Sequence, residues 1–303
     1  MVPLSKRAGE RPPGPRAVLV TGASSGLGLE TSVYLAERGF RVFATMRDPG
    51  RRGDLDAEAA RRRASVEVVR LDVTDPASVR SAVATVLARA GGIYGLVNNA
   101  GIQLRGYFED LSAAEIAEVF ETNLFGAMAV TREVLPYLRK AGQGRIVLMD
   151  SVGGRIGAPS LSAYCASKFG LEGFAEALAL ELKLVGLEVS LIEPGVVKTG
   201  MWGVNRRRAR KSLDPAGAYH RWFGRAEQLA DRVVASAPNR PVDVARAVYR
   251  ALSARRPRLR YVVGLRPRLL LALRSYLPGE SFERIYFGAV TRQITAGDPA
   301  RGA

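Results

Sequence analysis

The chain has 303 residues, 47% hydrophobic and 24% charged, with a formal net charge of +16. This composition excludes a disordered or disulfide-stapled protein and can bury a large core, expected as one domain. A single cysteine, Cys165, rules out an internal disulfide and suits a reducing, cytoplasmic setting.

The basic N-terminus runs into Pro and Gly rather than an apolar stretch, so no signal peptide is expected. Apolar runs such as Leu269–Leu273 fall far short of the roughly 20 residues that span a bilayer. The positive charge is almost all Arg and scattered along the chain, which fits a solvated surface better than a nucleic-acid footprint; local clusters lie at Arg206–Lys211 and Arg255–Arg268.

In chain order, residues 1–15 mix Pro, Gly and charge without periodicity and are expected to form a flexible tail. Ala17–Val20 reads as a strand, followed by a glycine-rich turn and a helix over Leu27–Arg38. The unit repeats with a strand at Arg41–Thr45, a helix near Asp54–Arg63, a strand at Val66–Leu71 and a helix at Asp75–Ala90. Asp75 and Pro76 supply the cap and first turn of that helix. Then come a strand at Gly95–Asn98, two helices within Ala113–Leu138, a strand at Arg145–Met149, a helix at Ala163–Val185 and a strand at Glu188–Ile192. Strict alternation of this kind predicts an α/β fold, a doubly wound parallel sheet of about seven strands covered by helices on both faces. From about 195 to 236 the pattern is irregular and reads as a substrate lid. A helix at Val242–Ala254 and a strand at Tyr261–Val263 close the catalytic unit, residues 16–264, leaving 265–303 as a helical extension and tail.

The turn Thr21-Gly22-Ala23-Ser24-Ser25-Gly26-Leu27-Gly28 sits between a strand and a helix start. There Gly22, Ser24, Ser25, Gly26, Leu27 and Gly28 can let a pyrophosphate approach bare backbone and the positive end of the helix. An NAD-selective site places a carboxylate at the end of the second strand. Here Arg47 stands before the first carboxylate, Asp48, and a planar guanidinium suits a 2′-phosphate, so NADP (NADPH) is expected over NAD. Asp72 and Val73, at the end of the third strand, are candidates for the adenine.

Together with Asn98-Asn99-Ala100-Gly101 after the fourth strand, Ser151 after the fifth and Tyr164-Cys-Ala-Ser-Lys168, this turn makes residues 16–200 resemble the short-chain dehydrogenase/reductase family. The segments Ser-Val-Gly-Gly and Tyr-Cys-Ala-Ser-Lys-Phe-Gly-Leu-Glu-Gly look like the subgroup of estradiol 17β-hydroxysteroid dehydrogenase and photoreceptor retinol dehydrogenase. The resemblance implies an NAD(P)-dependent oxidoreductase acting on an alcohol or ketone. It implies Asn123, Ser151, Tyr164 and Lys168 as catalytic residues, with Asn123 completing a proton relay and Lys168 also holding the nicotinamide ribose. Asn99, Ala100, Gly101, Pro194, Gly195, Val197 and Thr199 are implied to line the cofactor. It also favours a homodimer or homotetramer built on the two long central helices.

On physical grounds, Tyr164 and Lys168 stand four apart on a helix and share a face. An ammonium there, joined by an oxidised nicotinamide, is expected to pull the phenol's ordinary pKa of about 10 toward the working pH. Competing chemistries are poorly supplied, because one histidine, His220, and one cysteine make neither a convincing hydrolase triad nor a zinc site. His220 is left without a role.

The large apolar residues Met201, Trp202, Val204, Tyr219, Trp222 and Phe223 could roof a hydrophobic alcohol or ketone such as a steroid or retinoid. The apolar and Arg stripe of 265–290 admits contact with a membrane surface, but packing on the parent fold is favoured. Two other readings remain: a non-catalytic dinucleotide sensor or scaffold, for which Tyr164 and Lys168 would have no use, and a basic surface for nucleic acid or lipid.

Overall fold

The computed structural model describes residues 16–203 and 205–296. The N-terminal tail expected over 1–15, Val204 in the suggested roof, and the last seven residues of the extension lie outside them.

Strands with apolar side chains on both faces must be covered on both faces, and the chain does this by alternation. The elements are β1 (Ala17–Val20), α1 (Gly26–Ala36), β2 (Arg41–Met46), α2 (Gly53–Arg61), β3 (Val66–Arg70), α3 (Pro76–Ala90) and β4 (Gly95–Asn98). There follow a short β5 (Leu104–Arg105), α4 (Ala113–Phe120), α5 (Gly126–Ala141), β6 (Gly144–Met149), α6 (Ser162–Lys183) and β7 (Leu187–Pro194). The chain continues through β8 (Arg207–Arg208), α7 (His220–Ala235), α8 (Pro241–Ser253), β9 (Arg260–Val263), α9 (Leu265–Tyr276) and α10 (Gly279–Thr295).

The main sheet has seven strands in the order β3-β2-β1-β4-β6-β7-β9, and every pairing in it is parallel. One face carries a core from α3, α5 and α6, including Val83, Val130, Val134 and Leu171. The other carries α1, α2 and α8, with Val33, Leu35, Leu55, Val248 and Leu252. The expected doubly wound fold is therefore the observed one. Strand order reverses direction between β1 and β4, which opens a crevice at their carboxyl ends.

Local chemistry explains several boundaries. Asp75 caps α3 by accepting from the Ala77 N–H at 2.8 Å, with Pro76 at the first helical position. Ser112 and Glu115 form a reciprocal capping box on α4. The two helices expected over 113–138 are joined by a π-helical turn, Glu121–Phe125, rather than a loop.

The largest departure from expectation is α7, a helix of 16 residues inside the segment read as irregular. Phe223, Ala226, Leu229, Ala230 and Val233 recur at helical spacing, but they are interrupted by Gly224 and several charges, which hides the stripe. Within the extension, α9 and α10 cover Leu265–Tyr276 and Gly279–Thr295. Leu271 of α9 and Phe282 of α10 pack with Ile156 in a satellite core on the parent fold. Leu269, Leu273, Tyr276, Ile285 and Phe287 stay exposed on it.

Candidate active site

A single cavity of about 860 Å³ runs along the crevice. Its cofactor end is built by the turn after β1. Gly22 (φ +68°) and Gly26 (φ +58°) adopt left-handed backbone that a side chain would strain. A Cβ on Gly22 would come 2.7 Å from the Ala100 Cα, and one on Gly28 would overlap the Gly22 carbonyl and the Asn99 amide. These glycines let three segments close on each other. Thr21 Oγ1 accepts from the Asn99 and Ala100 N–H groups, each at 2.9 Å, and Asn99 Nδ2 donates to the carbonyls of Thr21 (2.8 Å) and Gly22 (3.0 Å). The Asn-Asn-Ala-Gly segment thus braces the turn.

Ser25 precedes α1 without capping it through its side chain. The first residues of the helix, Gly26, Leu27 and Gly28, line the cavity, and helix-start N–H groups free of a side-chain cap suit an anion. Uncapped helix start and side-chain-free cradle together fit a dinucleotide pyrophosphate. Ser24, Ser25, Leu27, Asp72, Val73, Asn99, Ala100, Gly101, Pro194, Gly195, Val197 and Thr199 all line the same cavity. Asp72 is also tied into its own turn, accepting from Thr74 N (3.0 Å) and Thr74 Oγ1 (2.8 Å).

At the end of β2, Arg47 is exposed at the cavity wall. Asp48, the carboxylate that a ribose hydroxyl would need, turns back to cap the next turn by accepting from Gly50 N at 2.8 Å. That same turn brings Arg51 to the cavity wall. Arg51 was not anticipated, although Asp-Pro-Gly before it is a turn signal that could have placed it.

The catalytic candidates converge from separate elements. Ser151 follows β6, and its Oγ accepts from Gly153 N at 3.0 Å. Tyr164 and Lys168 lie on α6, 9% and 5% exposed, with the Lys168 ammonium 6.0 Å from the centre of the Tyr164 ring. Tyr164 and Ser151 both line the cavity. Lys168 Nζ donates to the Met149 carbonyl at 2.7 Å.

Burial pushes the Tyr164 phenol above its ordinary value, and Asp150 adds to the rise, while Ser151 opposes it. Lys168 does not overcome these effects in the protein alone. Its own ammonium is pushed down by burial, with Asp150 opposing.

Asn123 sits in the π-helical turn, 1% exposed. Its Oδ1 accepts from Ile102 N at 2.8 Å, while Nδ2 donates to Ile102 O at 2.9 Å and Ser167 Oγ at 3.0 Å. Ser167 Oγ in turn donates to the Tyr164 carbonyl at 2.7 Å. Both amide hydrogens are committed, so Asn123 braces the loop after β4 against the helix that carries Tyr164.

The opposite end of the cavity is apolar. Val152, Ile156, Leu161, Trp202, Leu229, Val233, Leu270, Tyr286 and Val290 line it. They come from the segment between β6 and α6, from the turn after β7, from α7 and from the two C-terminal helices, and Arg105, Arg206, Arg207 and Gln293 line the cavity as well. Met201 and Trp202 of the expected roof are among the lining residues, whereas Tyr219, Trp222 and Phe223 are not. Tyr219 instead stacks on Tyr107, with ring centres 5.0 Å apart. His220 begins α7, its Nδ1 is 3.3 Å from the Ser212 carbonyl, and it does not line the cavity.

A buried ion cluster fixes α7 against the wall. Glu227 on α7 binds Arg105, with Arg208 Nε at 2.6 Å and Arg206 Nε at 3.2 Å. Burial raises the Glu227 carboxyl, but its bonds to Arg208 and Arg105 prevail and hold it below the usual range.

The sequence profile of the short chain dehydrogenase family matches residues 16–210. The chain belongs to this family and is an oxidoreductase. It is 38% identical over 273 residues to the Bacillus subtilis oxidoreductase YusZ, covering 89% of this chain and 96% of that one. It is 37% identical over 295 residues to human 17-beta-hydroxysteroid dehydrogenase type 1 (94% and 87% covered). Human retinol dehydrogenase 8 is 37% identical over 271 residues (86% and 85%). Among solved structures, a Burkholderia phymatum short-chain dehydrogenase/reductase in complex with NAD superposes with a TM-score of 0.76 at 26% identity (91% of this chain, 95% of that one). Actinorhodin polyketide ketoreductase with NADPH gives 0.68 at 32% identity (79% and 91%). The resemblance read from the motifs, down to the steroid and retinol dehydrogenase subgroup, is confirmed.

Proposed function

We propose that this oxidoreductase uses NADP(H) to interconvert an apolar alcohol and its ketone or aldehyde, with a steroid, retinoid or similar hydrophobic compound as substrate. One observation carries the reading. Ser151, Tyr164 and Lys168 meet in a cavity whose one end is a glycine cradle at a helix start and whose other end is apolar. The 17-beta-hydroxysteroid and retinol dehydrogenases named above are relatives whose names denote such substrates. Arg47 and Arg51 beside an engaged Asp48 favour the phosphorylated cofactor over NAD.

When bound, the nicotinamide supplies the hydride and, in its oxidised form, a positive charge. The Ser151 hydroxyl orients the substrate oxygen. Tyr164, kept protonated by burial, donates its phenolic proton to that oxygen in the reductive direction. In the oxidative direction the same oxygen accepts the proton, which requires cations to bring the phenol down. Lys168, 6.0 Å from the Tyr164 ring, is the cation for that task, and it would also hold the nicotinamide ribose. Asn123 holds the helix that carries Tyr164 against the loop after β4, so its part in a proton relay is one of positioning.

Residues 195–236 act as a lid, since α7 contributes one wall of the apolar end. Exposed Tyr137, Phe169 and Leu180 on α5 and α6, with Phe125 just before α5 and Leu184 just after α6, support a homodimer or homotetramer through those helices. Among the described residues no helix is long and apolar enough to cross a membrane. With a buried free thiol at Cys165, this supports a cytoplasmic enzyme.

The reading is tested by a panel of ketones, aldehydes and alcohols, including steroids and retinoids, followed at the NADPH absorbance band. Turnover of an apolar member supports it. Specific dinucleotide binding without turnover of any member would favour a sensor instead.

A further inference from the structure

The substrate end of the cavity carries a feature that a purely apolar substrate leaves idle. Arg105 on β5 and Arg206 just before β8 both line the cavity. Their side chains are only 3% and 7% exposed. Burying a guanidinium is costly unless its charge and its N–H groups are both answered.

For Arg105 they are answered within the protein. Its Nε donates to Glu227, its Nη2 donates to Ser160 Oγ at 3.1 Å, and its guanidinium lies 5.6 Å from the centre of the Trp202 ring. Arg206 differs. Its Nη1 donates to Asp231 Oδ1 at 2.5 Å, but Nε, 3.2 Å from Glu227 Oε2, makes no hydrogen bond, and Nη2 is buried with no partner among the described residues. Glu227 and Asp231 both belong to α7, whose Ala226, Leu229 and Ala230 line the cavity beside them. The idle donors therefore stand at the substrate end, away from the glycine cradle.

The charges do not balance either. Arg105, Arg206 and Arg208 share only Glu227 and Asp231, and Asp231 is itself 61% exposed, whereas Arg207 is matched by Glu118. One positive charge is left over in a largely buried place, beside N–H groups that lack an acceptor. Gln103, two residues ahead of Arg105, also lines the cavity, buried and with its side-chain oxygen unpartnered. It is neutral and leaves the balance unchanged.

We propose that Arg206, backed by Arg105, is a specificity-determining residue that binds a carboxylate on the substrate, so that the enzyme acts on apolar ketones, aldehydes or alcohols bearing an acid group away from the reacting carbon. This rests on the reading of the cavity as the substrate site of an oxidoreductase. A carboxylate supplies both missing things, the acceptor for the idle N–H groups and the negative charge, and its two oxygens match the planar edge of a guanidinium. A hydroxyl would supply only the first. Trp202 and Leu229 are left to hold the apolar body.

The test titrates laurate, methyl laurate and lauryl alcohol, each below its micelle-forming concentration, into the full-length protein with NADPH present, by calorimetry at neutral pH. Laurate is expected to bind at least about tenfold more tightly than the ester or the alcohol. Equal affinities, or no binding of laurate, overturn the proposal. In Arg206→Met the preference for the acid disappears. In Arg250→Met, which removes an exposed arginine of α8 outside the cavity lining, the preference stays. A preference that survives Arg206→Met, or that falls equally in Arg250→Met, reflects the protein's general positive charge and contradicts the assignment. Should Arg206→Met not fold, Asp231→Asn decides: with the exposed carboxylate gone, laurate binds more tightly by roughly threefold or more, and unchanged or weaker binding overturns the proposal. Binding needs no turnover, so the two readings fail separately. Laurate held through Arg206 by a protein that turns over no ketone or alcohol would sink the enzymatic reading alone, and turnover of apolar ketones with no preference for the acid would sink this one alone.

Discussion

Arg47→Asp is expected to reverse the cofactor preference. In the native chain the end of β2 offers two guanidiniums, Arg47 and Arg51, and a carboxylate already engaged with Gly50 N at 2.8 Å. A charge-assisted bond from a guanidinium to a phosphate contributes about 1.5–3 kcal/mol, and exposure at the cavity mouth with Arg51 as partial substitute puts Arg47 toward the lower end. Placing a carboxylate about 4 Å from the phosphate adds repulsion of about 1 kcal/mol in a water-like dielectric. The sum, about 2–3 kcal/mol, corresponds to a change of roughly 30- to 150-fold in the ratio of NADPH to NADH affinity. Fluorescence titration of both cofactors on the wild type and the variant measures that ratio. A ratio that does not move, or wild-type protein that binds the two equally, would refute the reasoning.

Gly28→Ala, whose methyl would overlap the Gly22 carbonyl and the Asn99 amide, is expected to destabilise by about 1–3 kcal/mol in urea denaturation, and dinucleotide affinity falls with it because the cradle must open. Tyr286→Ala removes a ring that lines the cavity and stacks on Phe282 with ring centres 5.5 Å apart; kcat/KM for a rigid polycyclic substrate drops by roughly ten- to a hundredfold with cofactor affinity unchanged. The acid limb of stability is read through Glu227. Its carboxyl is held below the usual range, so its contribution is complete above about pH 4.5 and is lost as pH falls through the folded value; a Glu227→Gln variant lacks that component of acid unfolding. Glu193 works in the opposite sense, since a carboxyl raised from 4.5 to about 7 costs stability as pH climbs between those values. Glu193→Gln is therefore expected to be more stable than wild type above neutrality, in denaturation at about pH 8.

The sheet was readable because its strands are short apolar runs separated by helix starts such as the well-marked Asp75-Pro76. The cofactor end was readable for a related reason: glycines with left-handed φ or with neighbours in contact are forced by backbone geometry, and they fall in consecutive residues. Long-range arrangements were harder. The stripe of α7 is narrow and broken by Gly224, and its packing partner α10 lies about sixty residues further on. Nothing local marks Leu229 and Val290 as two sides of one wall. A spacing of four reports proximity to Lys168 but not burial, and burial raises the Tyr164 phenol in the protein alone. The sequence shows Asn123 as a polar residue in an apolar context; only the fold shows both its amide hydrogens committed to Ile102 and Ser167.

The most direct measurement is single-turnover reduction of an apolar ketone by enzyme saturated with NADPH, comparing wild type with Tyr164→Phe. Loss of the phenolic proton is expected to slow the reaction by at least about a hundredfold, while the dissociation constant for NADPH stays within a few fold. A phenylalanine variant that reduces the ketone at the wild-type rate would contradict the assignment of Tyr164 as the proton donor.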